Sequence, residues 1–110
     1  MSQRTRFHEI TDLASLQQLM VADVTVFLHD PWCPISASAF EEMEAVGGDV
    51  HLIDVSQQHE LKREFERATR VRHESPQVIV LRGGAPVWHA SHGRIRTAKV
   101  REAAGASTPT

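Results

Sequence analysis

The fold is decided by the stretch from Val24 to Ser36, which reads VTVFLHDPWCPIS. Its first five residues are apolar or β-branched, which is typical of a strand buried on both faces and therefore central in a sheet. A loop follows the strand, and Pro34 then opens a helix, because a proline in the first helical position sacrifices no hydrogen bond. The stretch predicts a strand, a loop and a helix, with Cys33 at the helix start.

The segments on either side continue this alternation of strands and helices. Apolar side chains at helical spacing precede the strand, with Thr11 or Asp12 as the cap, and further ones at Leu61 and Ala68 mark a later helix. Gly83–Gly84 predicts the turn of an antiparallel hairpin. The remaining predicted elements are helices over residues 12–21, 34–46 and 94–103, and strands over residues 50–55, 77–82 and 87–90.

These elements predict an α/β fold with a central mixed sheet of four to five strands and helices on both faces. The first two inner strands are expected to be parallel neighbours, and residues 6–10 would add an edge strand. We expect one domain over residues 1–104 and a disordered tail over residues 105–110, which read Gly-Ala-Ser-Thr-Pro-Thr.

Composition excludes several classes of function. The chain has 110 residues and a formal net charge of −2, so it lacks the positive surplus with which proteins hold nucleic acid. No apolar run approaches the roughly 20 residues that a membrane-spanning helix needs, and charged residues occupy the start of the chain. We therefore expect a cytoplasmic protein with neither a nucleic-acid nor a membrane partner.

Cys33 is the only cysteine, so it cannot form a disulfide within the chain. Its place after a central strand is where α/β sheets carry ligands and reactive groups. The free amides of Ile35 and Ser36, the helix dipole and the Ser36 hydroxyl are all expected to favour a thiolate. Cys33 is thus predicted to be a nucleophile, with Ser36 assisting it, rather than an inert buried thiol.

A second motif, His73-Glu74-Ser75-Pro76-Gln77, places a proline directly before an apolar strand. In the expected topology this strand lies beside the loop that bears Cys33. A cis Ser75–Pro76 bond would there turn the backbone of Ser75 toward the sulfur. The alternative is an ordinary trans proline that only opens the strand.

Together these motifs resemble a known family. Trp32-Cys33-Pro34-Ile35-Ser36 is similar to the Trp-Cys-x-x-Cys site of thioredoxins with serine as the last residue. Together with the block around Pro76 and with Trp88 and Ser91-His92, it resembles the YtxJ-like monothiol bacilliredoxins, from the first helix to about Thr97.

The resemblance implies a thioredoxin-like fold and a thiol-disulfide oxidoreductase that removes bacillithiol, or a similar small thiol, from mixed disulfides on client proteins. Bacillithiol would be a co-substrate, and S-bacillithiolated proteins the partners, with no bound cofactor. Besides the nucleophile Cys33 and Ser36, the expected thiol-binding residues are Trp32, Pro34, Ile35, His73, Ser75, Pro76 and His92.

Other readings compete with this one. His29, His73 and His92 could join Cys33 in a metal site, but no compact ligand pair supports it. A shared iron–sulfur cluster is disfavoured because the Cys-Gly-Phe-Ser pattern is absent. The alternative from a different class is a non-catalytic thioredoxin-like module that senses redox state or binds a partner.

Overall fold

The computed structural model describes residues 4–105. These residues form five strands and four α-helices, with one turn of 3₁₀ helix before the last helix. In chain order they are β1 (Arg6–Glu9), α1 (Leu13–Leu19), β2 (Val24–His29), α2 (Pro34–Glu44), β3 (Asp49–Asp54), α3 (His59–Thr69), β4 (Gln77–Arg82), β5 (Ala85–Ser91), the 3₁₀ turn (His92–Arg94) and α4 (Thr97–Gly105).

The strands form one mixed sheet in the order β1-β3-β2-β4-β5. The predicted central strand β2 is buried from Thr25 to Leu28 and lies parallel to β3 and antiparallel to β4. Strand β1 runs parallel to β3 at one edge, and β5 completes the hairpin at the other. This confirms the α/β fold with a mixed sheet, including the predicted edge strand near residue 6.

Two apolar clusters cover the two faces of the sheet. On one face, Val26 and Leu28 of β2 pack with side chains of α1 and α3, among them Leu16 and Phe65. On the other face, Phe27 packs with side chains of α2 and α4. Because successive strand side chains point to opposite faces, the short apolar run of β2 supplies both clusters.

Several predicted details change in the structure. Of the two predicted caps of α1, Asp12 is the one observed, and it accepts a 2.7 Å hydrogen bond from the amide of Ser15. Ala68 is exposed, and Thr69 is the buried residue of that turn because its hydroxyl donates to the carbonyl of Phe65. Gly105, predicted to begin the tail, ends α4, while residues 106–110 lie outside the described residues.

The hairpin turn between β4 and β5 requires glycine. Gly84 has a φ of +84°, and a Cβ there would lie 1.8 Å from the carbonyl oxygen of Met20. Its amide donates to the carbonyl of Ala22, which ties the turn to the segment between α1 and β2. The hairpin turn therefore packs against the chain between α1 and β2 at this end of the sheet. Within residues 4–105, no helix is both long and apolar enough to span a bilayer.

Candidate functional site

Three loops lie side by side at one end of the strands, opposite the end that carries the hairpin turn. Strand register pairs Leu28 of β2 with Gln77 of β4, and Gln77 with Ser91 of β5. The loop that follows β2 carries Cys33, the loop that precedes β4 carries Pro76, and the turn after β5 begins at His92. The topology thus brings the separate sequence motifs together at this end of the strands.

Cys33 is the N-cap residue of α2, and Pro34 occupies the first turn, both as predicted. The thiol is half-buried and free. Its side chain accepts no capping hydrogen bond from the helix amides, so the expected bonds from Ile35 and Ser36 are not formed in this structure. The sulfur nevertheless lies at the N-terminus of α2, where the unpaired backbone N–H groups of the first turn leave a partial positive charge.

The Ser36 hydroxyl has other partners than Cys33. It is fully buried, accepts a 3.0 Å hydrogen bond from the amide of Asp30, and its Oγ lies 2.7 Å from Nδ1 of His29. A hydroxyl has one proton to donate, which His29 can accept. Ser36 therefore joins the end of β2 to the first turn of α2, which fixes the loop that presents the thiol.

His29 is a site residue whose role the sequence analysis missed. Its ring centroid lies 5.2 Å from that of Phe27 and 5.0 Å from that of Phe40. Burial lowers the pKa of His29, against the opposing effect of the Asp54 and Asp30 carboxylates. The neutral ring is thus favoured. The sequence did hold a signal for this contact: a polar residue ends the strand seven positions before a serine in the first turn of the helix.

The surface around the thiol is apolar and open to solvent. Trp32 is 82% exposed and Ile35 is 55% exposed, and Pro34 between them is exposed as well. Large apolar side chains are usually removed from water, so an exposed group of them next to a reactive residue indicates a contact surface. Trp32, Pro34 and Ile35 are thus exposed directly beside Cys33 in the chain, and their role in thiol binding stays a prediction.

The Ser75–Pro76 peptide bond is cis, as predicted. Pro76 is buried, and its carbonyl accepts a 3.0 Å hydrogen bond from the amide of His92. This bond joins two of the three loops. Ser75 is partly buried, and its hydroxyl oxygen is buried with no hydrogen-bond partner among the described residues.

His73 lies at the start of the same loop, where its amide donates to the carboxylate of Glu66 in α3. Burial is the main cause that lowers its pKa, with a smaller effect from the ammonium group of Lys62. Its Nδ1 is buried and unpaired within the described part of the chain. His92 is exposed at the other side of Pro76, with a left-handed φ of +55°. The backbone of His73 is therefore tied to α3, whereas His92 is exposed to solvent.

The histidines and carboxylates do not gather into a metal centre in residues 4–105, where no group of three or more His, Cys, Asp or Glu side chains is arranged to hold an ion. His29, which the sequence offered as a metal ligand beside Cys33, is instead hydrogen-bonded through its imidazole to Ser36.

Comparison with known proteins places this site in a family. The model of the family described as monothiol bacilliredoxin BrxC matches residues 5–100, a range that includes Cys33, Ser36, the cis proline and His92. The chain belongs to the monothiol bacilliredoxin family. This confirms the resemblance carried by the sequence motifs, and it gives the chain a role in thiol redox chemistry.

Solved structures agree on the fold. A structure classed as an oxidoreductase with a thioredoxin fold matches with a TM-score of 0.82 and 27% identity, covering 88% of this chain and 92% of that one. Thioredoxin from Trypanosoma brucei brucei matches with a TM-score of 0.71 at 15% identity, covering 88% of this chain and 86% of its own. Fasciola hepatica thioredoxin matches with a TM-score of 0.70 at 17% identity, covering 92% and 99%. The bacilliredoxin therefore has the predicted thioredoxin-like fold.

Proposed function

We propose that this bacilliredoxin removes bacillithiol from mixed disulfides on client proteins through a mixed disulfide at Cys33. The observation that carries the proposal is the position of the only cysteine. Cys33 is half-buried at the N-terminus of α2, and the apolar side chains of Trp32 and Ile35 stand exposed beside it. A thiol placed in this way can meet a disulfide on another molecule.

The exchange balances without an added oxidant or reductant. The Cys33 thiolate attacks the bacillithiol sulfur, the bond between that sulfur and the client sulfur breaks, and the client cysteine leaves as a thiolate. One disulfide is lost and one is formed. Cys33 now carries bacillithiol, and a second thiol of the same class restores it by attacking this new disulfide.

Ser36 determines which exchange the protein can complete alone. In dithiol thioredoxins the residue at this position is a second cysteine, which releases a trapped partner. Here the position holds a buried hydroxyl that is engaged with His29 and Asp30. A hydroxyl cannot form a disulfide, so attack on the client sulfur would leave client and protein joined. Attack on the small-thiol sulfur is therefore the productive reaction.

Mass spectrometry of both proteins tests the proposal. Reduced protein is mixed with a client that carries bacillithiol on one cysteine, and the intact masses are followed with time. The proposal predicts that the client loses the bacillithiol mass as Cys33 gains it. Modification of Cys33 by free bacillithiol disulfide without release of the client would instead support a redox-sensing module.

A further inference from the structure

The hydroxyl of Ser36 is shared by two groups of the loop that leads to Cys33. Its oxygen accepts a 3.0 Å hydrogen bond from the amide of Asp30 and lies 2.7 Å from Nδ1 of His29. Ser36 is fully buried, and within residues 4–105 its hydroxyl has no third partner. A buried proton without an acceptor costs free energy, so the hydroxyl proton lies toward Nδ1 of His29. His29 is neutral in this arrangement and carries its own proton on Nε2.

The ring of His29 can change which nitrogen carries its proton. It is only partly buried, and in the described chain Nε2 is neither buried nor hydrogen-bonded, so this nitrogen can exchange its proton with solvent. The charged groups that face the ring are the carboxylates of Asp54, its partner in β3, and of Asp30 in the loop. The other neighbours are the uncharged rings of Phe27 and Phe40. No hydrogen bond to a carboxylate fixes the ring, so both neutral tautomers are open to it.

The hydroxyl of Ser36 is within reach of the sulfur of Cys33. Cys33 is the N-cap of α2 and Ser36 is the third helical residue, a position from which a side chain reaches back to the N-cap residue. Side chains three positions apart start about 5–6 Å from each other, so rotation of the Cys33 side chain can bring its sulfur to the hydroxyl. The two are not hydrogen-bonded in this structure, because the proton of Ser36 is engaged with His29.

A thiolate at Cys33 changes this balance. A charged acceptor forms a stronger hydrogen bond than a neutral one, so the negative sulfur competes with Nδ1 for the proton of Ser36. When the proton of His29 moves from Nε2 to Nδ1, the ring donates to the Ser36 oxygen, and the hydroxyl is free to donate to the sulfur. The amide of Asp30 keeps its bond, so each of these donors has an acceptor. The proton moves between the ring nitrogens through solvent, and the charge of the ring is unaltered.

We propose that the tautomer of His29 switches with the state of Cys33. The ring is in the Nε2–H form while the sulfur is a thiol or part of a disulfide, and in the Nδ1–H form while the sulfur is a thiolate. His29 is thus a positioning residue for exchange, because it acts on the sulfur through Ser36. The inference rests on the proposed function in one respect, that Cys33 leaves as a thiolate when its mixed disulfide is reduced. The hydrogen bond from Ser36 then stabilises the leaving sulfur.

The nitrogen chemical shifts of the imidazole ring distinguish the two tautomers and test the proposal directly. Protein labelled with 15N at histidine is titrated from pH 7 to pH 10, while thiolate formation at Cys33 is followed by ultraviolet absorbance. We expect the shifts of Nδ1 and Nε2 of His29 to exchange in step with this absorbance, and to stay constant in Cys33→Ser. The exposed ring of His59 is the internal control and should not respond. A His29 ring that keeps the Nε2–H form as the thiolate appears would overturn the inference.

Ser36→Ala separates a relay through the hydroxyl from a direct electrostatic effect of the thiolate on the ring. We expect the response of His29 to be lost in Ser36→Ala and retained in Ser38→Ala, which changes an exposed serine of the same helix. A response that persists in Ser36→Ala would overturn the relay, because the sulfur would then act on the ring without the hydroxyl. The wild-type titration does not depend on the folding of either variant.

The kinetic consequence is measured on the mixed disulfide of Cys33 with 2-mercaptoethanol, which is prepared without any client protein. Dithiothreitol reduces this disulfide, Cys33 leaves as a thiolate, and intact mass gives the rate. We expect Ser36→Ala to slow the step about tenfold, the effect of losing one hydrogen bond to a charged group. His29→Asn should slow it less, because an amide can also donate to Ser36.

The control variants for this rate are Ser38→Ala and His59→Asn, which should match the wild-type protein. Equal rates for Ser36→Ala and Ser38→Ala would overturn the role of the relay in exchange. Failure of thiol transfer from a bacillithiolated client, with the tautomer switch of His29 intact, would overturn the proposed function and leave the role of His29 standing.

Discussion

Nδ1 of His29 lies 2.7 Å from the Ser36 hydroxyl oxygen, which joins the end of the central strand to the first turn of the helix that begins at Cys33. Ser36 also accepts the amide proton of Asp30. The position that holds the second cysteine in dithiol thioredoxins is thus occupied by a side chain that braces the loop. We interpret Ser36 as a residue that positions the thiol through the backbone, in place of the direct hydrogen bond expected from sequence.

Ser36→Ala should destabilise the protein. The substitution leaves the partly buried Asp30 amide and His29 imidazole without this partner, which costs about 1–3 kcal/mol. Ser38→Ala is the control, since Ser38 is exposed on the same helix and its change should be neutral within about 0.5 kcal/mol. Urea unfolding measures both. Equal stability of the two variants would mean that the contacts of Ser36 do not hold the loop.

His29 should make stability depend on pH. Its pKa is lowered by burial, while in the unfolded chain it returns to about 6.5. Between these two values the unfolded state binds more protons, so stability rises with pH there and is lost as the pH falls below about 7. Unfolding by urea at pH 7, 6 and 5 checks the sign.

His29→Asn should reduce this loss, because asparagine keeps a hydrogen-bonding group near Ser36 but does not titrate. Part of the pH dependence should remain, since burial also lowers the pKa of His51 and His73. His59→Asn is the control, because His59 is exposed at the start of α3. An identical pH profile for His29→Asn and His59→Asn would contradict the assigned role of His29.

The sequence was sufficient for the fold because its strongest signals are local. The apolar run of β2 and the glycines of the hairpin turn each specify one conformation through properties of neighbouring residues. The order of elements then leaves few topologies, so the parallel pairing of β2 with β3 followed. Helix ends were predicted less accurately. The last helix was expected over residues 94–103, but it begins at Thr97, after a 3₁₀ turn.

The contacts of the site were harder to predict because they depend on which side chain reaches a given hydroxyl. Sequence placed Cys33 and Ser36 on the same turn but could not show that His29 competes for the Ser36 hydroxyl. Likewise, Glu74 and Arg94 are 20 positions apart and line one small cavity only because β4 and β5 pair. Long-range register therefore determines this cavity, and no local pattern reveals it.

Trp32 should contribute to contact with clients and little to folding. Trp32→Ala is expected to slow the removal of bacillithiol from a protein client about fivefold, the effect of losing roughly 1 kcal/mol of contact, with unfolding unchanged. The control is Val21→Ala, because Val21 is 76% exposed but follows α1, remote in sequence from the thiol loop. Stopped-flow rates measure both variants. A loss of stability in Trp32→Ala with normal rates would show that the indole only packs against the fold.

The central claim is that Cys33 carries the small thiol between molecules, and the most direct measurement follows isotopically labelled bacillithiol from a client to the protein. Wild-type protein, Cys33→Ser and Ser38→Ala are each incubated with the labelled client, and the label is located by peptide mass spectrometry. The account predicts label on the peptide that contains Cys33 and free thiol on the client in wild type and Ser38→Ala, with no transfer to Cys33→Ser, which stays folded. Release of bacillithiol from the client at the wild-type rate by Cys33→Ser would contradict the account.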